Sequence, residues 1–270
     1  MEADETITLE HEPDQNNLGF GKYMTDYMFV MDWTKDEGWH DARIVPQGPV
    51  ELDPACVTLH YAQETFEGLK AYRREDGKIQ LFRPEMNARR MINSNARLCM
   101  PAFPEDMFVE AVRALVKQEA DWVPSKPNTS LYIRPFMFAT EAALGVHMAS
   151  SYKFMIICCP VGAYYAAGLN PVKILVEDEL VRAVKGGTGF TKCGGNYAGS
   201  ILGQVKAEKM GYAQVLWLDG EHRKYVEEVG TMNIMFADRR NRSSGRNQRF
   251  HDPYFKRLGI QGKRNTSCSR

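Results

Sequence analysis

The sequence predicts an α+β fold divided into two domains. Three observations carry this. Apolar alternation and 3.6-residue periodicity follow one another in irregular order through residues 1–162. A Gly- and Pro-punctuated connector, residues 163–171, comes next. A shorter strand–helix–strand stretch then occupies residues 172–236, and residues 237–270 have a different composition altogether.

In order, residues 27–31 read as a strand, as do residues 57–61 and 64–73, all rich in β-branched and aromatic side chains. Asp76-Gly77 marks a turn into a short strand at 78–82. Pro84 opens a helix, since its missing N–H costs nothing in a first turn. The apolar face of that helix is Ala88, Met91, Ile92, Leu98 and Cys99. A second helix starts near Pro104 and shows Phe108, Val112, Leu115 and Val116 on one side. Residues 131–138 and 154–159 are apolar and read as buried strands. In the second domain, residues 172–176 form a strand and residues 199–209 a helix stopped by Gly211. Residues 214–218 form the next strand, Asp219-Gly220 signals a hairpin, and residues 224–236 return.

Composition excludes several classes. The 270 residues carry 34 Lys+Arg against 34 Asp+Glu, with 44% hydrophobic and 25% charged residues. These values are those of a globular chain with a sizeable core, not of a disordered one or a dedicated nucleic-acid binder. No apolar run reaches the length of a membrane-spanning helix. The first 20 residues are acidic and polar, unlike a signal or transit peptide, so a cytoplasmic location is expected. Cys56, Cys99, Cys158, Cys159, Cys193 and Cys268 form no CxxC pair and read as reduced, buried thiols. The six histidines are scattered, and no metal site is expected.

The charge balance hides an asymmetry. Residues 237–270 hold ten Lys/Arg and two Asp/Glu, so +8, and the first 236 residues carry −8. Apolar content collapses after residue 236. Three readings compete: a basic nucleic-acid arm around Arg239, Arg240, Arg242, Arg246 and Arg249, an ordinary solvated tail, or an out-of-frame segment.

Four features carry candidate chemistry. In residues 185–199, glycines flank Lys192, and Tyr197 follows five residues later. The spacing matches neither a Walker A loop nor a dinucleotide fingerprint. It suits a flexible surface turn, or a lysine held where backbone approaches a ligand closely; a desolvated lysine is a Schiff-base nucleophile. Glu228, before Val229-Gly230, is either a surface carboxylate or the partner of a ring nitrogen. Arg89 and Arg90 are adjacent on a helix, where one faces solvent and the other is free to hold a phosphate. Arg134 interrupts an apolar strand; it points to water at an edge, or it needs a partner.

Six segments together resemble one family. They are Phe66-Glu67-Gly68-Leu69-Lys70-Ala71-Tyr72, Phe82-Arg83-Pro84, Leu131-Tyr132-Ile133-Arg134-Pro135, Lys192-Cys193-Gly194-Gly195-Asn196-Tyr197, Gln214-Val215-Leu216-Trp217-Leu218 and Glu228-Val229-Gly230-Thr231-Met232-Asn233-Ile234. In this order they resemble the branched-chain amino acid aminotransferases, which are fold-type IV enzymes dependent on pyridoxal 5'-phosphate (PLP). The resemblance covers residues from about 5 to 236.

The resemblance implies roles. Lys192 matches the lysine that links covalently to PLP and later moves the Cα proton. Tyr197 matches the tyrosine on the phenolic oxygen, Glu228 the carboxylate on the pyridine nitrogen, and Arg90 the arginine on the phosphate. Tyr61, Phe66 and Arg134 match residues around the substrate pocket. The implied reaction is amino transfer between leucine, isoleucine or valine and 2-oxoglutarate, in a homodimer that binds no nucleic acid and no membrane. Two alternatives accompany it. One is another fold-type IV enzyme, a D-amino acid aminotransferase or an aminodeoxychorismate lyase. The other is a catalytically incompetent truncated product. The family pattern continues for roughly another hundred residues, whereas here the match stops at Phe236. The large domain is therefore expected to be incomplete and residues 237–270 to be a non-family tail.

Overall fold

The structure, a computed structural model, describes residues 13–162, 170–237 and 242–244. The chain divides into two compact units: residues 1–169 with 191–193, and residues 170–190 with 194–270. Lys192 thus groups with the first unit, far from it in sequence.

The first unit is built on one antiparallel sheet. Its strands are β1 (Tyr27–Thr34), β2 (Gly38–Pro46), β3 (Glu64–Phe66), β4 (Leu69–Arg73), β5 (Ile79–Leu81), β6 (Ser130–Ala139) and β7 (Ser151–Val161). Their order is β2-β1-β7-β6-β4-β5, and β3 also pairs with β6. Alternation along β1 sends Phe29 and Met31 into one cluster and Met28 and Val30 into another. Both faces of the sheet centre are therefore covered. On the first face lie α2 (Pro84–Arg97) and α3 (Glu105–Gln118), whose Met91, Phe108, Val112 and Leu115 join Phe154 and Ile133 in the main core. Phe103 stacks on Phe154 with ring centroids 3.8 Å apart.

Two sequence expectations need correction here. Residues 57–61 form a short helix, α1 (Val57–Tyr61), not a strand. Asp53-Pro54 starts a turn, with the Ala55 N–H on the Asp53 side chain and the Cys56 N–H on its carbonyl. Ala62, at φ +50°, ends the helix after little more than one turn. Val57 alone is buried, and Leu59 and Tyr61 are exposed, so no strand neighbour rewards their β propensity. On α2, Cys99 is exposed, and the buried face continues instead through Ser94 and Asn95. Cys56, Cys158, Cys159 and Cys193 are buried, and Cys268 lies outside the described residues.

The second unit carries a three-stranded sheet. β8 (Ile174–Glu177) runs parallel to β9 (Gln214–Leu218), and β10 (Val226–Val229) pairs antiparallel on the other side of β9. The expected single helix is two: α4 (Gly194–Ala198) and α5 (Ile201–Lys209), separated by Gly199 and Ser200. At the end of α5, Gly211 takes φ +76°, and the Tyr212 N–H bonds back to the Ala207 carbonyl. The Asp219-Gly220 connection is longer than a tight hairpin. The buried Asp219 carboxylate accepts N–H groups from His222, Lys224 and Tyr225. Burial opposes its ionisation, yet these three donors hold it below the usual carboxylate range. The returning strand is also interrupted. Gly230, at φ +54°, ends β10, and β11 (Met235–Ala237) pairs with β12 (Arg242–Ser244) instead. The rest of the basic segment lies outside the described residues. Among the described residues, no helix is long and apolar enough to cross a membrane, and no cluster of metal-ligating side chains occurs.

Candidate active site

In the first unit the site grows from α2 and the β3–β4 corner. Pro84 sets the first turn of α2, and the 3.6-residue period then places Asn87, Arg90 and Ser94 along one side. The corner residues Phe66, Glu67 and Gly68 run past that side. The Ser94 hydroxyl oxygen accepts the Lys192 N–H at 3.0 Å. The Phe66 N–H donates to the Lys192 carbonyl at 2.9 Å. These two bonds seat the Lys192 backbone between helix and corner.

The Lys192 ammonium then lies over the Phe66 ring, with Nζ 4.4 Å from the centroid. The Arg134 guanidinium approaches the same ring at 4.7 Å. Arg134 is half-buried on β6, inside the sheet rather than at an edge, so the water-facing reading is wrong. Its Nε and Nη2 donate to the Tyr132 hydroxyl at 3.2 and 2.9 Å. Gly68 makes this possible: a Cβ there would stand 2.3 Å from the Tyr132 oxygen.

Arg89 and Arg90 separate as alternate faces of a helix should. Arg89 pairs with Glu105 at the surface, 2.8 Å apart. Arg90 turns to Glu67 and makes a bidentate pair, Nε to Oε1 at 2.6 Å and Nη2 to Oε2 at 2.5 Å. Beneath them, Thr65 donates to Asn95 Oδ1 at 2.6 Å, a buried polar bond on the same helix face. Tyr61 stands apart at the end of α1, 40% exposed, with its ring 6.0 Å from that of His60.

In the second unit, Glu228 on β10 lies against Arg182, with 2.6 Å between Oε2 and Nε. Arg182 also donates to the Gly189 carbonyl at 3.1 Å. A cavity of about 320 Å³ opens beside it, lined by Lys185, Phe190, Asp219 and Glu227 among others. Tyr197, half-buried, lies on α4. The buried Asn196 ties α4 to the preceding glycine-rich segment, bonding the Thr188 hydroxyl and carbonyl at 2.8 and 2.7 Å.

Sequence reasoning assigned no separate role to Glu67, Asn87, Ser94, Asn95 or Arg182. Ser94 and Asn95 left a signal, as polar residues on an otherwise apolar helix face. Glu67 and Arg182 left none, because their meaning lies in partners distant along the chain.

No protein-family model matches the chain. Curated relatives do. The chain is 54% identical over 238 residues to branched-chain-amino-acid transaminase 1 of Bacillus subtilis (strain 168), covering 88% of this chain and 67% of that protein. It is 56% identical over 232 residues to a probable branched-chain-amino-acid aminotransferase of Staphylococcus aureus (strain N315), covering 86% and 64%. The chain thus spans about two thirds of the length of these relatives. Among solved structures, it resembles the Escherichia coli branched-chain amino acid aminotransferase at a TM-score of 0.67 and 22% identity, over 88% of this chain and 77% of that one. It also resembles a thermophile's branched-chain amino acid aminotransferase with pyridoxamine 5'-phosphate, at a TM-score of 0.65 and 24% identity, over 86% and 75%. The same enzyme, complexed with N-(5'-phosphopyridoxyl)-L-glutamate, matches at 0.63 and 23%, again over 86% and 75%. These likenesses show the α+β fold of that enzyme group. With relatives above half identity over most of its length, the chain belongs to the branched-chain-amino-acid aminotransferase family.

Proposed function

We propose that the chain binds PLP through Lys192 and transfers amino groups between branched-chain L-amino acids and 2-oxoglutarate. The observation that carries this reading is the meeting of Lys192, Phe66 and Arg134 at one aromatic ring. The donor set fits the cofactor in kind: an amine for its aldehyde, a planar fork for its phosphate, and a carboxylate for its ring nitrogen. Solved relatives carrying pyridoxamine phosphate and a phosphopyridoxyl adduct add support.

Bound PLP supplies an electron sink for cleavage of the Cα–H bond. The chain's own residues supply the rest. Lys192, once its amine is released by substrate, takes the Cα proton and returns it at the other end of the transfer. Its seat between Ser94 and Phe66 limits where that amine travels. Arg90 takes the phosphate, Tyr197 the phenolic oxygen, and Glu228 the pyridine nitrogen. The contact with Arg182 fixes the Glu228 carboxylate in one orientation. Phe66 and Tyr61 offer apolar walls to the substrate side chain, and Arg134 offers a cation to its carboxylate. Discrimination between leucine, isoleucine and valine on such walls amounts to about 1–3 kcal/mol per methylene. The reading extends to a cytoplasmic homodimer with a small domain at residues 1–162, a linker at 163–171 and the PLP-binding domain from 172.

The test is mass analysis after incubation with PLP and borohydride reduction. A phosphopyridoxyl adduct on the peptide containing Lys192 supports the reading, and transamination of leucine, isoleucine and valine with 2-oxoglutarate follows from it. No adduct, from soluble and monodisperse protein, overturns it for this chain.

A further inference from the structure

We infer that Glu67 is the positioning residue that holds the Arg90 fork in register with Lys192 for a phosphorylated cofactor; the inference rests on the PLP reading above. The Glu67 side chain is completely buried, whereas Arg90 keeps 33% of its side chain exposed. A carboxylate in such a place is tolerated only with full compensation. Here it accepts from Arg90 Nε at 2.6 Å, Arg90 Nη2 at 2.5 Å, Asn87 Nδ2 at 2.9 Å and the Gly68 N–H at 3.3 Å. Asn87 and Arg90 stand three residues apart on α2, so helix and corner close on the carboxylate together.

Two features point beyond a merely structural pair. First, a half-exposed arginine on a helix sweeps many rotamers, and phosphate recognition through a planar fork needs one plane. The bidentate contact with a rigid, buried carboxylate supplies that plane. Second, the corner that carries Glu67 also carries the seat of Lys192. The neighbouring Phe66 N–H bonds the Lys192 carbonyl, and the Glu67 N–H bonds the Pro135 carbonyl at 2.7 Å. Ser94, four residues after Arg90 on α2, holds the Lys192 N–H. Arginine fork and lysine backbone are thereby tied to the same two elements. A pyridine ring fixes the spacing between its aldehyde and its phosphate, so a protein that binds both ends must fix the spacing of its amine and its fork. Glu67 is the side chain that does this for the fork.

The experiment compares equilibrium binding of PLP and of pyridoxal, which lacks the phosphate, to the full chain and to Glu67→Gln, Arg90→Gln and the double variant. Wild type is expected to prefer PLP. Glu67→Gln is expected to weaken PLP binding by about tenfold or more while leaving pyridoxal within about twofold, and the double variant to lose no more than Arg90→Gln alone. Glu67→Asp keeps the charge but withdraws the carboxylate by one methylene. It is expected to fall between wild type and Glu67→Gln, and it decides by the same comparison if Glu67→Gln does not fold. Equal weakening of PLP and pyridoxal, additive losses in the double variant, or a wild type with no preference for PLP each overturn the inference. A wild-type Lys192 adduct with unchanged PLP affinity in both Glu67 variants overturns it alone. Absence of any wild-type PLP binding overturns the functional reading and this inference together.

Discussion

Phe66 holds Lys192 at two levels: its N–H bonds the lysine carbonyl at 2.9 Å, and its ring lies 4.4 Å from the lysine ammonium. Backbone and side chain of one residue thus set both the position and the direction of the amine. Cation–π contacts at partly exposed sites contribute about 0.5–1 kcal/mol each. Phe66→Leu keeps apolar bulk and the backbone bond but removes the ring face. We expect it to lower the fraction of chain trapped at Lys192 by borohydride at subsaturating PLP by several-fold, with a melting temperature close to wild type. Trapping at the wild-type level would show that the ring face is not what orients the amine.

Gly68 and Tyr132 are matched. A Cβ at Gly68 would meet the Tyr132 oxygen at 2.3 Å and the ring carbons at 3.0 and 3.2 Å, so the whole ring must shift. Gly68→Ala is expected to cost about 1–3 kcal/mol in urea unfolding. Adding Tyr132→Phe removes the clashing oxygen and should recover a large part of that loss. A double variant no more stable than Gly68→Ala would break the assignment.

Glu119 gives the first unit a pH dependence. Burial lifts its carboxyl from the ordinary 4.5 to about 7, partly offset by the Tyr27 N–H and aggravated by Asp26. The folded state therefore keeps a proton that the unfolded chain releases above about 4.5. Stability falls as pH rises from about 4.5 to about 7, by up to on the order of 3 kcal/mol. Glu119→Gln retains an acceptor for the Tyr27 N–H and removes the titration. Chemical denaturation at pH 5 and pH 8 should show a smaller difference for the variant than for wild type, with the variant the more stable at pH 8. Parallel pH profiles for the two proteins would contradict this.

Gly203 lets α5 approach the sheet of the second unit. A Cβ there would lie 2.5 Å from the six-membered ring of the buried Trp217. Gly203→Ala should therefore destabilise this unit by about 1–3 kcal/mol, although alanine is the better helix former by roughly 1 kcal/mol. Tryptophan fluorescence on denaturation reads this directly, and a stabilised variant would mean that helix propensity outweighs the packing clash.

Much of the fold was legible because its signals are local. Pro84 and Pro104 mark the starts of α2 and α3 as expected, and the period of Phe108, Val112, Leu115 and Val116 gives the buried face of α3. Residues 57–61 misled because one helical turn is too short for propensity to decide. Their neighbours, Glu141 on Val57 and the turn at Asp53, are tertiary or lie outside the segment. The returning strand misled because Gly230, inside an apolar run, takes a left-handed conformation that sequence pattern does not reveal.

The sequence by itself determined the α+β class, the family, and each short motif, since all of these rest on residue types and on spacings along the chain. Tertiary structure alone decided which side chains meet. Lys192 joins the first unit across more than a hundred residues of chain, Phe66 receives both Lys192 and Arg134, and Arg90 turns to Glu67 while Arg89 turns to Glu105. A charge that is exposed in the unfolded chain has no preferred partner. It acquires one only when burial removes its water and leaves a single geometry that returns the lost hydrogen bonds.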